Sequence, residues 1–342
     1  MKHRLLDILC CPECRASLTL VAEDERFGEV KTGRLVCKSC TSEFPIVGYI
    51  PRFVSSEQYV GSFSLQRDYV RKHFADYVSD KSGDARLAPY TGFDVRTLKD
   101  GLTLEIGCGY GRFVNTVSHR GGEVVGVDLS TNSIELAFEF VGRRPKVHLV
   151  QADVFRLPFK DATFARAFSI GVLHHTPAPG AGVKAIARKV VPGGQLSVWV
   201  YHPETSGKVV DAWRLVTARM PPQLLYAFCV LNQLLLSPLR KIPKVGGLLA
   251  RLVPGYWPHK GTRFWQRVIG DFDTLSPTHA STHEPEEALG WLESAGLEAV
   301  RALGPLTAVT GAVPVPAALP APKPEAESPV EEPVNEKRAA AA

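Results

Sequence analysis

From Leu102 onward, short runs of aliphatic and β-branched residues alternate with stretches in which apolar positions recur every three to four residues. The runs are 102–106, 124–128, 147–151, 164–170 and 195–201, and the helical patterns are 112–120, 133–141 and 180–190. Strands apolar on both faces need cover on both faces. The alternation therefore predicts an α/β fold with a doubly wound parallel sheet and ligands beyond the carboxyl ends of its strands. Near 207 the pattern gives way to a leucine-rich segment with two helices punctuated by Pro and Gly, ending at about 270. A helix over 285–295 follows, with Thr282 as its expected N-cap and Glu286 and Glu287 in its first turn. Two last strand patterns, 297–303 and 306–313, predict an antiparallel hairpin at the sheet edge.

The flanks read differently. Residues 1–54 hold short strand-like pieces at 17–21 and 34–37, glycines and five of the seven cysteines. So small a unit needs a staple besides its core. Residues 55–100 are polar and mildly helical, with Tyr59, Phe63, Tyr69, Phe74 and Tyr77 spaced so that several share a face, and read as a connector. From 313 to 342, seven prolines with Ala and Glu and no periodicity predict a disordered tail.

Composition narrows the class without naming it. Hydrophobic residues make up 45% and charged residues 22%, which excludes a wholly disordered, collagenous or coiled-coil chain. The longest apolar run, 224–236, is interrupted by Asn232 and Gln233 and is too short to span a bilayer. Asp7 breaks the only leader-like stretch, so the expected location is the cytoplasm, where C-x-x-C pairs more often hold metal than form disulfides. The net charge of +5 is unevenly spread. Residues 207–270 hold ten Lys and Arg against the single acid Asp211, leaving the rest of the chain at about −4.

The strongest chemical signal is Leu104-Glu105-Ile106-Gly107-Cys108-Gly109-Tyr110-Gly111-Arg112-Phe113, a strand entering a glycine turn and then a helix. Such a turn lets the backbone approach a ligand and is expected to present free amides. A dinucleotide fingerprint, G-x-G-x-x-G, would place its third glycine at 112, which is arginine. Glu105, two residues before the first glycine, would repel a pyrophosphate and attract an ammonium or sulfonium ligand. Asp128 ends the second strand, followed by Leu129, where a carboxylate can accept both hydroxyls of a ribose. Asp153, followed by Val154, ends the third, where a carboxylate can accept from an adenine amino group. The competing reading is that each Asp caps the helix after it.

These residues, with Ser169-Ile170-Gly171-Val172-Leu173-His174-His175 and Val191-Pro192-Gly193-Gly194-Gln195-Leu196, resemble the class I S-adenosylmethionine-dependent methyltransferases over 102–201. The resemblance implies a Rossmann-like sheet of seven strands in the order 3-2-1-4-5-7-6. It implies that Glu105, Gly107, Cys108, Gly109 and Gly111 border the methionine and ribose, that Asp128 and Leu129 hold the ribose, and that Asp153 and Val154 face the adenine. His174 and His175 follow the fourth strand. There a histidine can take a proton from the methyl acceptor, or one of the pair can hydrogen-bond the backbone and shape the pocket. Tyr201 and His202 are weaker candidates of the same type. No Asn/Asp-Pro-Pro-Tyr/Phe run and no Pro-Cys or Thr-Cys nucleophile follows strands four or five, which disfavours exocyclic amines and pyrimidine C5 as acceptors.

Cys11-Pro12-Glu13-Cys14 and Cys37-Lys38-Ser39-Cys40 form C-x2-C-x22-C-x2-C, spaced for a tetrahedral Zn2+ with four thiolates and no open position, hence structural. With Leu5 to Leu9 before it and Phe44 to Pro51 after it, this unit resembles the zinc-ribbon activator of tRNA, rRNA and translation-factor methyltransferases. Chelation is expected to destabilise residues 1–54 and spare the sheet. Cys10 reads as a spare thiol and Cys229 as core. The insertion admits three readings: a lid over a small or lipophilic substrate, a peripheral membrane contact on anionic lipid, or a footprint for RNA. A small-molecule acceptor ranks first and RNA second, with a non-catalytic S-adenosylmethionine-binding scaffold as a third class.

Overall fold

The computed structural model describes residues 1–54, 82–203, 208–239, 242–253, 264–276, 280–304 and 307–316. The connector aromatics, most of the tail, and Arg240, Lys241, Tyr256, Trp257, Lys260 and Arg263 of the insertion lie outside them.

The chain opens with a 3-10 turn, His3–Ile8, and an antiparallel sheet of β1 (Leu18–Arg26), β2 (Glu29–Cys37), β3 (Glu43–Val47) and β4 (Ile50–Pro51), paired in that order. Both long strands extend beyond the short apolar pieces legible in the sequence, because the polar run 22–26 pairs with 29–33 across a tight turn at Phe27 and Gly28.

After α1 (Ser82–Thr91) the α/β alternation begins with β5 (Leu102–Ile106), α2 (Arg112–His119), β6 (Glu123–Asp128), α3 (Thr131–Ala137), β7 (Val147–Gln151), β8 (Phe164–Ile170), α4 (Pro179–Ala187) and β9 (Val190–Trp199). β9 starts five residues earlier than expected. Pro192-Gly193-Gly194 reads as a turn, yet it is absorbed in the strand where the pairing with β8 shifts register between Phe164 and Arg166.

The insertion holds more helices than the two expected: α5 (Lys208–Thr217), α6 (Pro222–Leu231), a π-turn Asn232–Leu236, α7 (Pro243–Leu252) and α8 (Phe264–Leu275). Prolines 222 and 243 sit at helix starts, where no amide is needed, rather than breaking one long helix. The chain then returns through α9 (Pro285–Ser294), β10 (Glu298–Ala302) and β11 (Ala308–Ala312). The residue before α9 is Glu284, not Thr282, and it makes no side-chain cap.

The large sheet runs β10-β11-β9-β8-β5-β6-β7, parallel except for the β10–β11 hairpin, whose inner strand β11 lies antiparallel to β9. Counted from β5, this is the order 3-2-1-4-5-7-6. Leu104, Val124, Val125 and Val150 are fully buried between the helix layers.

β7 would be a bare edge, with unpaired amides and carbonyls. Residues leaving β4 cover it: Arg52 pairs in parallel with Gln151, and the Phe53 N–H donates to the Gln151 carbonyl at 2.8 Å. Nearby, Leu9 bridges Phe159, and the Cys10 N–H donates to the Pro158 carbonyl at 2.9 Å. Leu5, Leu9, Leu35 and Ile46 of the amino-terminal unit and Val127, Val150 and Phe159 of the larger unit join one buried cluster. Leu9 is 1% exposed. Leu9→Ala should cost ~2–5 kcal/mol. Because the first of the five tryptophans is Trp199, the loss should appear in tryptophan-monitored melting. An unchanged tryptophan transition would mean that the two units unfold independently.

Candidate cofactor site and metal centre

The glycine turn joins β5 to α2 at the carboxyl edge of the sheet. Contrary to the expectation of free amides, its N–H groups are consumed internally. Gly107 and Cys108 both donate to the Val127 carbonyl, at 2.7 and 2.9 Å, and Gly109 donates to Asp128 Oδ2 at 2.8 Å. Gly107, at φ +72°, cannot carry a side chain, since a Cβ would lie 2.2 Å from Val172 Cγ2. Gly109, at φ +51°, has open space where a Cβ would point. Gly107, Cys108 and Gly109 therefore offer a ligand room rather than free amides.

Negative charge comes from two carboxylates. Asp128 is fixed by the Gly109 amide and by the Ser130 N–H, which donates to Oδ1 at 2.9 Å. Those bonds resemble the capping alternative, but a carboxylate offers about four acceptor sites, so capping and ligand holding are compatible. Glu105 is 2% exposed. Burial drives its carboxyl well above the usual range, opposed by the Val114 N–H at the start of α2. Its Oε2 is buried without a hydrogen-bond partner among the described residues. An orphaned buried carboxyl oxygen on the strand that leads into the glycine turn suits a ligand that brings an ammonium group.

The other candidates divide. Asp153 opens the 3-10 turn Val154–Arg156 and accepts the Phe155 N–H at 3.0 Å, as a cap does, while Val154 is buried in the core. The Cys108 thiol is buried and held protonated by desolvation. Tyr110 packs with Leu136 and Ile269, so α8 of the insertion touches the glycine turn.

His174 and His175 share the 3-10 turn Leu173–His175. His174 is fully buried, its ring stacked 3.8 Å from Tyr201, and Nδ1 accepts the Tyr201 N–H at 3.3 Å. That bond puts the neutral ring's proton on Nε2, a buried atom with no partner among the described residues. Burial lowers the His174 pKa well below 6.5, so the ring stays neutral and can donate but not take a proton. His175 lies 4.1 Å away and is half-buried.

Two residues that matter were not singled out in the sequence. Arg52 donates to Gln151 Oε1 at 2.9 Å and to Glu135 Oε1 at 2.8 Å. Gln151 Nε2 in turn donates to the Leu129 carbonyl at 2.8 Å and to Thr131 Oγ1 at 2.9 Å. The segment after Asp128 is thus held from the small sheet. A buried Gln at the last position of a buried strand was the available signal.

The sulfurs of Cys11, Cys14, Cys37 and Cys40 lie within 4.8 Å of one another, with Cys11–Cys40 at 3.6 Å and Cys14–Cys37 at 3.4 Å. Four thiolates around one tetrahedral Zn2+ stand roughly 3.8 Å apart, so the set fits the ion. The Ser39 and Cys40 amides donate to Cys37 Sγ, and the contact with Ser42 draws the Cys40 thiol down to about 6. Cys10 is buried and outside the set.

Residues 104–198 match the family described as "Methyltransferase domain", and residues 2–48 match the family described as "Trm112p-like protein". The chain thus joins a Rossmann-like methyltransferase domain to a Trm112p-like module with a four-cysteine cluster. It is 32% identical over 99 residues to a sterol 4-C-methyltransferase of Caenorhabditis elegans, covering 28% of this chain and 30% of the relative. It is 35% identical over 112 residues to the "Probable tRNA methyltransferase 9B" of Homo sapiens, covering 31% and 23%. The chain therefore spans only about a quarter to a third of these relatives' length. Among solved structures, a complex of the Haloferax volcanii Trm112 methyltransferase activator aligns with 76% of this chain and 98% of its own at 13% identity and TM-score 0.44.

Two measurements test the site. Glu105 is protonated in both folded and unfolded states below about pH 4, and its burial destabilises the fold as pH rises above the ordinary carboxylate value toward the raised folded one. Glu105→Gln should therefore raise Tm at pH 8 by about 2–4 °C per kcal/mol relieved, with little change at pH 4. Equal shifts at both pH values would refute the assignment. For the metal, the shared core argues for a different outcome from the expectation that chelation spares the sheet. Stripping Zn2+ should shift the tryptophan-monitored transition downward as well, and a shift confined to residues 1–54 would contradict it.

Proposed function

We propose that this chain is an S-adenosylmethionine-dependent methyltransferase acting on an O, N or C acceptor in a small molecule, with Zn2+ held structurally by Cys11, Cys14, Cys37 and Cys40. One observation carries the reading: the glycine turn has spent its amides on β6 and faces its ligand with Glu105 and Asp128. A phosphate-binding loop needs the opposite arrangement. Two carboxylates suit a ligand that is cationic at the methionine end and hydroxylated at the ribose.

In this reading Glu105 receives the ammonium, Gly109 leaves room for the ligand, Asp128 accepts the ribose hydroxyls and the Asp153 turn borders the adenine. S-adenosylmethionine, when bound, supplies an electrophilic methyl carbon. The chain aligns the acceptor with it and excludes water, which is where such a site gains most of its rate. His174 donates from Nε2 to an acceptor oxygen or nitrogen, and His175 is the member of the pair able to take a proton. The aromatic cluster of buried His174 with half-buried Trp199 and Tyr201 at the strand ends supports a small acceptor over a polynucleotide. RNA is the second reading, favoured by the Trm112p-like module.

Titration with S-adenosylhomocysteine, with NAD as control, tests the cofactor. Asp128→Ala should weaken binding by about 1–3 kcal/mol. Gly109→Ala, which meets no atom within 4 Å, should cost the fold only about 1–2 kcal/mol yet weaken S-adenosylhomocysteine about tenfold or more. Undiminished affinity in both variants would refute the proposed pocket.

A further inference from the structure

The insertion is built inside out. In the π-turn after α6, Asn232 and Gln233 are buried, donating to Asp271 Oδ2 at 2.7 and 2.8 Å, while Leu231, Leu234 and Leu235 are more than half exposed. Leu224, one heptad before Leu231, is 58% exposed, and on α7 Leu248 and Leu252 also point outward. The inward face of α6 already has its partners in Leu225 and Cys229 against Val268 and Phe272 of α8. The outward leucines are therefore surplus to the core. A helix apolar on both faces, with polar side chains turned inward, is suited to a surface that water does not cover.

Charge identifies that surface. Between Asp211 and Asp271 the sequence contains nine Lys and Arg and no acid. Arg219 and Lys244, near the exposed leucines in sequence, are themselves exposed. A second copy of the chain would set a segment rich in Lys and Arg and without acids against itself across a two-fold axis, which repels. RNA would attract the cations but offers nothing to six exposed leucines. An anionic bilayer satisfies both: headgroups meet the Lys and Arg while the leucines enter the acyl boundary. Among the described residues no helix is long and apolar enough to cross a membrane, so the helices would lie on the bilayer.

We propose that α6, the π-turn Asn232–Leu236 and α7 dock this protein peripherally on anionic lipid. The proposal does not depend on methyl transfer. It is tested on the full chain by co-sedimentation with vesicles of phosphatidylcholine and phosphatidylglycerol (3:1) and of phosphatidylcholine alone. Binding should be at least about tenfold tighter to the anionic vesicles, weaken in 0.5 M NaCl, and fall about tenfold or more in the double variant Leu231→Asp/Leu235→Asp. Melting temperature, together with S-adenosylhomocysteine affinity where the parent binds it, checks that the variant keeps its fold, because both positions are exposed. Equal pelleting of variant and parent, or no pelleting of the parent with anionic vesicles, would overturn the proposal. So would a parent dimer that the variant converts to monomer without any vesicle binding, or a 30-nucleotide RNA that binds in place of the vesicles and requires the same leucines.

Discussion

A β-strand with no neighbour on one side leaves its amides and carbonyls to water, and at the cofactor-side edge of the large sheet that strand is β7. Its cover comes from the other end of the chain. Arg52 and Phe53 supply the main-chain pairing, and the same Arg52 guanidinium reaches Gln151, whose amide fixes the carbonyl of Leu129. Closing the sheet and shaping the segment after Asp128 are thus one set of contacts. The cysteine cluster lies upstream of both, because it holds together the small sheet that delivers Arg52. Apolar contact surrounds these polar links, so the two sheets share a core rather than merely touching.

The cofactor site follows from a choice about where amides go. Sending Gly107 and Cys108 to Val127, and Gly109 to Asp128, knots the turn to β6. The turn is then tied to its neighbouring strand, and Asp128, held by the Gly109 and Ser130 amides, lies close enough to the buried Glu105 carboxyl to add to the rise in its proton affinity. Keeping Glu105 away from water raises its proton affinity. The fold accepts that cost at the point where an ammonium group would relieve it, as functional sites often do.

Much of this was legible in the sequence. The five parallel strands, the edge hairpin and the four clustered cysteines are encoded in short-range patterns, namely buried β-branched runs, a glycine turn and two C-x-x-C pairs, whereas the strand order was implied by the family resemblance. What escaped detection depends on distant partners. Nothing around Pro51 reveals that Arg52 will meet Gln151, 99 positions away. The free-amide expectation failed because whether an N–H is free depends on the strand beside it. For His174 the sequence left a base and a pocket-shaping residue as alternatives, and it is the Tyr201 amide, brought close by β9, that sets its tautomer. In the insertion, hydropathy marks every leucine alike, and only packing separates buried Leu225 from exposed Leu224.

Carrying the small sheet on the same chain as the large one changes what their interface has to achieve. Two separate proteins meeting through a parallel bridge, an antiparallel bridge and a few ion pairs would need micromolar concentrations of each to stay together if their affinity were of that order. A covalent tether imposes an effective concentration of roughly millimolar, so an interface of about micromolar intrinsic affinity is closed on the order of 99.9% of the time. The stoichiometry is then fixed at one to one, independent of expression level. The four-cysteine unit cannot be lost by dilution or titrated away by a competing partner.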